Sequence, residues 1–380
     1  MIINNVEIVD QYGRRKGNIL VKDGIIVDTN VKGNYENHQV IDGSDYTLMP
    51  SFIDMHTHLR DPGFEYKEDM ETGMRAALKG GYTHLAAMAN TNPITDNFEM
   101  VVENLSKSKE LNLCNLTQIC ALTKDFGEEF VDLEKIIAVT KVFSNDGKTV
   151  AGEDIMREGL KRSKELGFVL ATHCEPEVEI VKRDLNILRE VPGNLHICHV
   201  SEKETLNLIR KAKKEGLHFT CEVTPHHVFD NDVDYKVSPP FGTRADRQAL
   251  IEGIKDGIID LCATDHAPHS KEDKEKGSPG ISNIEVAFSM YWKVFHEENI
   301  PLEKLSQMMS YQPAKILGLN CGEIVVGREA NVVLIDENKE TTIDIKGFVS
   351  KSNNNPFHGR KVKGKVMMTI KRGEVIYDNR

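Results

Sequence analysis

The chemistry in this chain begins with two histidines. His56 and His58 sit two residues apart at the end of the apolar run SFIDM. If that run is a strand, both rings share one face, and paired neutral imidazoles suit a transition metal. Four further polar clusters come at or just beyond an apolar run. They are Phe143-Ser144-Asn145-Asp146-Gly147, Thr172-His173-Cys174-Glu175, Cys198-His199-Val200-Ser201 and Ala263-Thr264-Asp265-His266-Ala267-Pro268-His269. Together they offer His56, His58, Asp146, His173, His199 and Asp265 as a candidate ligand set. Burying six such groups in one place without a cation is costly. Six are too many for one tetrahedral zinc, and they suit two metals about 3.5–4 Å apart sharing a carboxylate. Imidazole and carboxylate without thiolate favour zinc, with manganese or iron as alternatives, over calcium or magnesium. Cys174 and Cys198 adjoin ligands, but strand alternation should turn both to the opposite face as small buried hydrophobes.

These clusters need a scaffold that brings distant strand ends together. Between about residues 50 and 320, eight apolar runs alternate with amphipathic stretches: SFIDM, YTHLAAMA, LTQICAL, IIAVTKVF, FVLATH, LHICHV, HFTCEV and DLCATD. Stretches such as EDMETGMRAALKGG and SEKETLNLIRKAKKEG carry apolar residues at helical spacing and run into glycine. Eight alternations of this kind predict an α/β fold, a (β/α)8 TIM barrel, over residues 49–320. In such barrels the C-terminal strand ends carry the chemistry, which is where the clusters fall. Residues 1–48 and 321–380 read as short strands and tight turns, too small to bury separate cores. They are expected to pair into one small β-sandwich domain. The 380 residues thus divide as one barrel and one split domain.

Composition excludes several function classes. The net charge of −11 argues against nucleic acid and against anionic membrane surfaces. No apolar run is long enough to span a bilayer, and the N-terminus lacks the pattern of a signal peptide. Seven scattered cysteines without a CxxC pair fit a reducing compartment, so a cytoplasmic location is expected.

The chain resembles the dihydroorotases within the amidohydrolase superfamily. The match is carried by FIDMHTHLRDPGFEYKEDMETG (52–73), MANTNP (88–93), FSNDG (143–147), ATHCE (171–175), CHVS (198–201), EVTPHH (222–227), ATDHAPH (263–269) and GISNIE (280–285). GKVMMTIKRGEVIYD near the C-terminus continues it. The resemblance implies that His56, His58 and Asp265 hold one zinc, that His173 and His199 hold a second, and that Asp146 bridges them. It also implies that Arg60, Asn90 and His269 hold the substrate α-carboxylate. The implied reaction is the reversible cyclisation of N-carbamoyl-L-aspartate to L-dihydroorotate and water. A metal-bridged hydroxide would be the nucleophile, with Asp265 as general acid and base. Lys141 lies on the same strand as Asp146, and a carboxylated lysine there is the alternative bridge; FSNDG aligns better with the Asp-bridged branch. The implied partner is a small-molecule substrate, with a homodimer and an aspartate transcarbamoylase complex left open.

The pattern departs from the family in places. Ser238-Pro239-Pro240-Phe241-Gly242 stands where NPPLR is usual, so a serine occupies the position expected to contact the substrate ring, and an arginine is lost. The stretch between His173 and His199 is also short. Other histidines have plainer readings: His226 and His227 as supporting groups behind the ligands, and His84 as a satisfied barrel histidine. The run Lys271–Lys276 reads as a solvated charge run near the mouth. Two other functions compete. One is a hydantoinase- or allantoinase-type cyclic amidase. The other is a non-catalytic partner of transcarbamoylase, which should have lost ligands; here all six positions are filled.

Overall fold

The structure is a computed structural model that describes residues 1–32 and 38–380. Eight parallel strands form the barrel: β1 (Phe52–Thr57), β2 (Tyr82–Ala87), β3 (Asn115–Gln118), β4 (Val142–Ser144), β5 (Val169–Thr172), β6 (Leu195–Ile197), β7 (Thr220–Val223) and β8 (Leu261–Cys262). Hydrogen-bonded pairing runs β1-β2-β3 and β4-β5-β6-β7-β8. Parallel bridges Cys120–Phe143 and Thr57–His266 join the two sets, so the sheet closes on itself. Each apolar run of the sequence supplies one strand. The fourth is shorter than its run, because Leu133–Ile136 is a helical turn and only Val142–Ser144 pairs.

The crossover helices start and stop as their ends dictate. Met70–Lys79 begins at Asp69, whose carboxylate accepts from the Thr72 amide in a capping box. Arg244–Lys255 begins with the equivalent box of Thr243 and Asp246. Gly152–Leu166 ends at Gly167, in the left-handed region at φ 71°.

The two terminal segments meet in one sheet. Val332–Thr342 pairs antiparallel with Thr47–Pro50, which pairs with Ile2–Asp10, so three C-terminal strands join five N-terminal ones in one sheet of eight strands among the described residues. Its apolar face has a core of its own, including Ile3, Val6, Ile8, Leu48, Val332 and Ile370. The helix Ala287–Glu297 ties this sheet to the barrel. Trp292 Nε1 donates to the Glu337 carbonyl at 2.8 Å, and Ser289 Oγ to Gly364 at 2.6 Å. Gly364 must lack a side chain, since a Cβ there would meet Trp292 Cδ1 at 2.6 Å. Phe288, on the same helix, stacks on Phe52 with ring centroids 5.2 Å apart.

Candidate metal centre and substrate pocket

All six predicted ligands lie at the C-terminal end of the barrel and are buried. Asp146 is at the centre. Its Oδ1 lies 3.4 Å from His56 Nε2 and 3.5 Å from both His173 Nδ1 and His199 Nε2. Its Oδ2 lies 3.5 Å from His58 Nε2. Asp265 Oδ1 completes the ring, 3.1 Å from His58 Nε2 and 3.6 Å from His56 Nε2. The ligand-bearing ends need unusual backbone. His199 and Asp265 adopt φ of 34° and 45°, and Arg60 adopts 61°. Left-handed backbone at non-glycine residues costs about 1–3 kcal/mol each and persists where surroundings over-determine it, typically at functional sites.

The donor set fits a divalent cation. His56 Nδ1 lies 2.7 Å from Glu222 Oε1 and His58 Nδ1 lies 2.8 Å from Asn90 Oδ1. Both partners only accept, so both Nδ1 atoms carry the proton and both Nε2 lone pairs face carboxylates. His56 Nε2 and Asp146 Oδ1 are buried without any hydrogen-bond partner. Two acceptors face to face repel unless a cation lies between them. Against burial, which pulls the other way, Asp146 and Glu222 push the His56 ring well above the ordinary histidine range, so the site favours a positive charge at Nε2, which a metal or a proton can supply. His56, Asp146 and His199 form one cluster with ligand atoms within 4.8 Å of one another; His56, His58 and Asp265 form a second.

Glu222 is the residue that sequence reasoning missed. It sits on β7, fully buried, with Oε2 3.0 Å from His196 Nε2 and the His199 amide donating to Oε1 at 3.3 Å. Against the upward pull of burial, His56 and His196 hold its carboxyl down at about 2. The available signal was a glutamate in the middle of the apolar run HFTCEV, where a charge needs partners. His56, Cys198 and Glu222 also cluster within 4.8 Å, but both Glu222 oxygens are engaged by histidines.

Cys198 departs from expectation. It packs with Ala86, Met88, Ile119, Val142 and Ala171, which come from successive strands or strand ends, so it faces the barrel interior near His56. The reason is the left-handed backbone at His199, which breaks the alternation and lets neighbouring residues face the same side. Cys174 does face outward, with Sγ 3.9 Å from Asp184 on the helix Glu177–Glu190. Lys141 is exposed and precedes β4, at the opposite end of the strand from Asp146, so it takes no part in the cluster.

Next to the ligands lies a cavity of about 290 Å³ lined by Arg60, Asn90, Ser238, Ala267, His269 and Gly280, among others. Arg60 is buried and forms no ion pair among the described residues. Its Nε donates to the Pro268 carbonyl at 3.1 Å, and one amino group lies 3.1 Å from His269 Nε2. Burial pulls its pKa down to about 10, still fully charged at neutral pH. Burial and Arg60 hold His269 at about 3, so it stays a neutral acceptor. A buried, unpaired guanidinium held in one orientation is a built site for a carboxylate. Asn90 serves twice: its Oδ1 fixes His58, and the residue lines the cavity. Ser238 Oγ donates to Glu175 Oε2 at 3.3 Å, so that hydroxyl is partly engaged.

The remaining histidines are satisfied. His227 Nε2 donates to the Pro239 carbonyl at 3.1 Å, His226 Nδ1 lies 3.2 Å from Asn283 Nδ2, and His84 Nε2 lies 2.8 Å from Thr117 Oγ1. The run Lys271–Lys276 is not uniformly solvated, because Lys274 turns inward onto backbone carbonyls. No helix among the described residues is long and apolar enough to cross a membrane.

A sequence profile described as "Amidohydrolase family" matches residues 47–376. A dihydroorotase from Clostridium botulinum is 41% identical over 398 aligned residues, covering 99% of both chains. A dihydroorotase from Caldanaerobacter subterraneus is 37% identical, covering 99% of this chain and 97% of its own. Among solved structures, the L-hydantoinase (dihydropyrimidinase) from Arthrobacter aurescens superposes with a TM-score of 0.91 at 22% identity. It covers 100% of this chain and 96% of that one, a likeness of fold. The chain therefore belongs to the amidohydrolase family, among its dihydroorotases.

Proposed function

We propose that this chain catalyses the reversible ring closure of N-carbamoyl-L-aspartate to L-dihydroorotate and water. The observation that carries the reading is the pairing of two features in one cavity: lone pairs converging on Asp146, and the buried, unpaired Arg60. His56, His58, Asp146 and Asp265 would hold one zinc, and Asp146, His173 and His199 a second. Bound there, the metals supply Lewis acidity and bring water to its hydroxide form near neutral pH.

The chain's own residues do the rest. Arg60 and the Asn90 amide grip the substrate α-carboxylate, and neutral His269 keeps the guanidinium aimed. That grip places the ring amide over Asp265. In ring opening, the Asp265 carboxylate takes the proton of the attacking water and passes it to the leaving ring nitrogen. In closure it removes a proton from the ureido nitrogen as that nitrogen attacks the side-chain carboxyl carbon, and it returns the proton to the departing oxygen, which leaves as water. Ser238 borders the ring and contributes one hydroxyl contact. The relatives' name supports this reading. Hydantoin and allantoin carry no carboxylate, so neither gives Arg60 a partner. The full ligand set weighs against a non-catalytic subunit.

The test is Asp265→Asn, assayed in both directions. The asparagine keeps the shape but removes the proton carrier. Ring opening of dihydroorotate and closure of carbamoyl aspartate should both fall about 10²–10⁴-fold, the usual worth of a positioned general acid or base. Zinc content is read on the same sample, because Asp265 would also hold a metal; full activity, or a loss that follows zinc content alone, would refute the role.

A further inference from the structure

Ser278, Pro279 and Gly280 line the cavity together with Ala267 and His269. Gly280 lies in the left-handed region at φ +138°, with its Cα against the loop after β8. A Cβ there would meet the Ala267 carbonyl oxygen at 2.7 Å and His269 Cδ2 at 2.9 Å. The position of this loop therefore sets the position of His269, and His269 in turn meets Arg60.

Two side chains converge on the Gly280 carbonyl, one six residues before it and one 74 residues after it. Lys274 Nζ donates to it at 3.0 Å and also to the carbonyls of Lys236 at 2.8 Å and Ser278 at 2.9 Å. Its ammonium rests over the Tyr235 ring, 4.0 Å from the centroid. Asn354 Nδ2 donates to the same Gly280 carbonyl at 3.1 Å and to Ala267 at 3.3 Å. Asn354 Oδ1 accepts from the His269 amide at 3.0 Å and from Ser282 Oγ at 2.6 Å. Asn354 thus touches both loops, and it comes from the segment between the sheet strands Val332–Thr342 and Lys361–Lys371.

We propose that Lys274 and Asn354 are positioning residues: they clasp the Gly280 carbonyl, hold the 278–282 loop against His269, and so set the carboxylate pocket of the substrate. The inference rests on the substrate reading above. Neither residue lies among the ligands, so the clasp governs how tightly the carboxylate is held rather than whether metal binds. It also gives the terminal sheet a part in substrate recognition, since one of its connections hydrogen-bonds the two loops that line the cavity.

The test uses the full-length, metal-loaded protein with Lys274→Met, Asn354→Ala, the double variant and Gly280→Ala. KM and kcat are measured for dihydroorotate, and binding of orotate, a planar ring with the same carboxylate, is measured by calorimetry. Each single clasp variant should raise KM and the orotate Kd about tenfold, with kcat within threefold and metal content unchanged. The double variant should lose less than the product of the singles, because both act through one carbonyl. Gly280→Ala should weaken orotate binding at least as much. Lys274 sits on a short surface helix, so Lys274→Met keeps the test open if Asn354→Ala misfolds. KM and Kd within twofold of wild type would overturn the clasp, as would a fall in kcat or metal content at unchanged KM. A wild-type protein that neither opens dihydroorotate nor binds orotate would instead overturn the substrate assignment on which the clasp rests.

Discussion

Replacing Glu222 with glutamine tests the metal centre without touching a ligand. The wild-type carboxylate accepts from His56 Nδ1 at 2.7 Å and from His196 Nε2 at 3.0 Å. Glutamine offers one oxygen and one amide, so the amide meets either the His56 N–H or His196, which can accept at Nε2 by carrying its proton on Nδ1 toward the Thr220 hydroxyl. If His56 is the loser, it turns or changes tautomer, and the Nε2 lone pair no longer points at Asp146. A hydrogen bond to a charged group contributes about 1.5–3 kcal/mol. Partners behind metal-bound histidines typically account for about 10–100-fold in metal affinity. Glu222→Gln should therefore bind zinc about 10–100-fold more weakly than wild type at the site that uses His56. Competition with a chromogenic chelator, at matched folding by circular dichroism, reads this directly. His196→Gln leaves the Glu222–His56 bond in place and should cost less. Zinc affinity of a folded Glu222→Gln protein within twofold of wild type would show that Glu222 does not orient His56 for the metal.

Two further substitutions probe the pocket and the core. Arg60→Met removes a buried charge-assisted grip, so KM for dihydroorotate should rise by about 30-fold or more, corresponding to ~2 kcal/mol or above, with zinc content unchanged. An unchanged KM would show that Arg60 does not hold the carboxylate. Phe288→Ala removes a ring stacked on Phe52 at the joint between barrel and sheet. It should lower unfolding free energy by about 3–5 kcal/mol in denaturant titration, and a loss under 1 kcal/mol would contradict the packing described.

The parts legible in the sequence are those set by periodicity and by strand ends. His56 and His58 could be read as a facing pair because alternation within a strand is strict. Asp146, His173, His199 and Asp265 could be read because each follows an apolar run. Alternation also produced the error at Cys198, where the positive φ of His199 lets adjacent residues face one side. Such a backbone turn has no reliable signature in a non-glycine residue. Glu222 was visible only as an unexplained charge in a strand, and its partners lie 166 and 26 residues away. Lys274 and Asn354 were out of reach for another reason: both act on backbone carbonyls, which carry no side-chain pattern. Lys274 in particular is hidden in a charge run that reads as solvated surface.

A metal pair and a carboxylate grip in one cavity would select a ring that carries a carboxylate. The decisive comparison is kcat/KM for ring opening of dihydroorotate, hydantoin and allantoin on one preparation of known zinc content. About two zinc ions per chain are expected, as a shared-carboxylate site requires. A preference for dihydroorotate of about 30-fold or more is expected too, the worth of Arg60 to a carboxylate. A faster rate on hydantoin, or fewer than one metal per chain in an active preparation, would contradict the pairing of metals and grip.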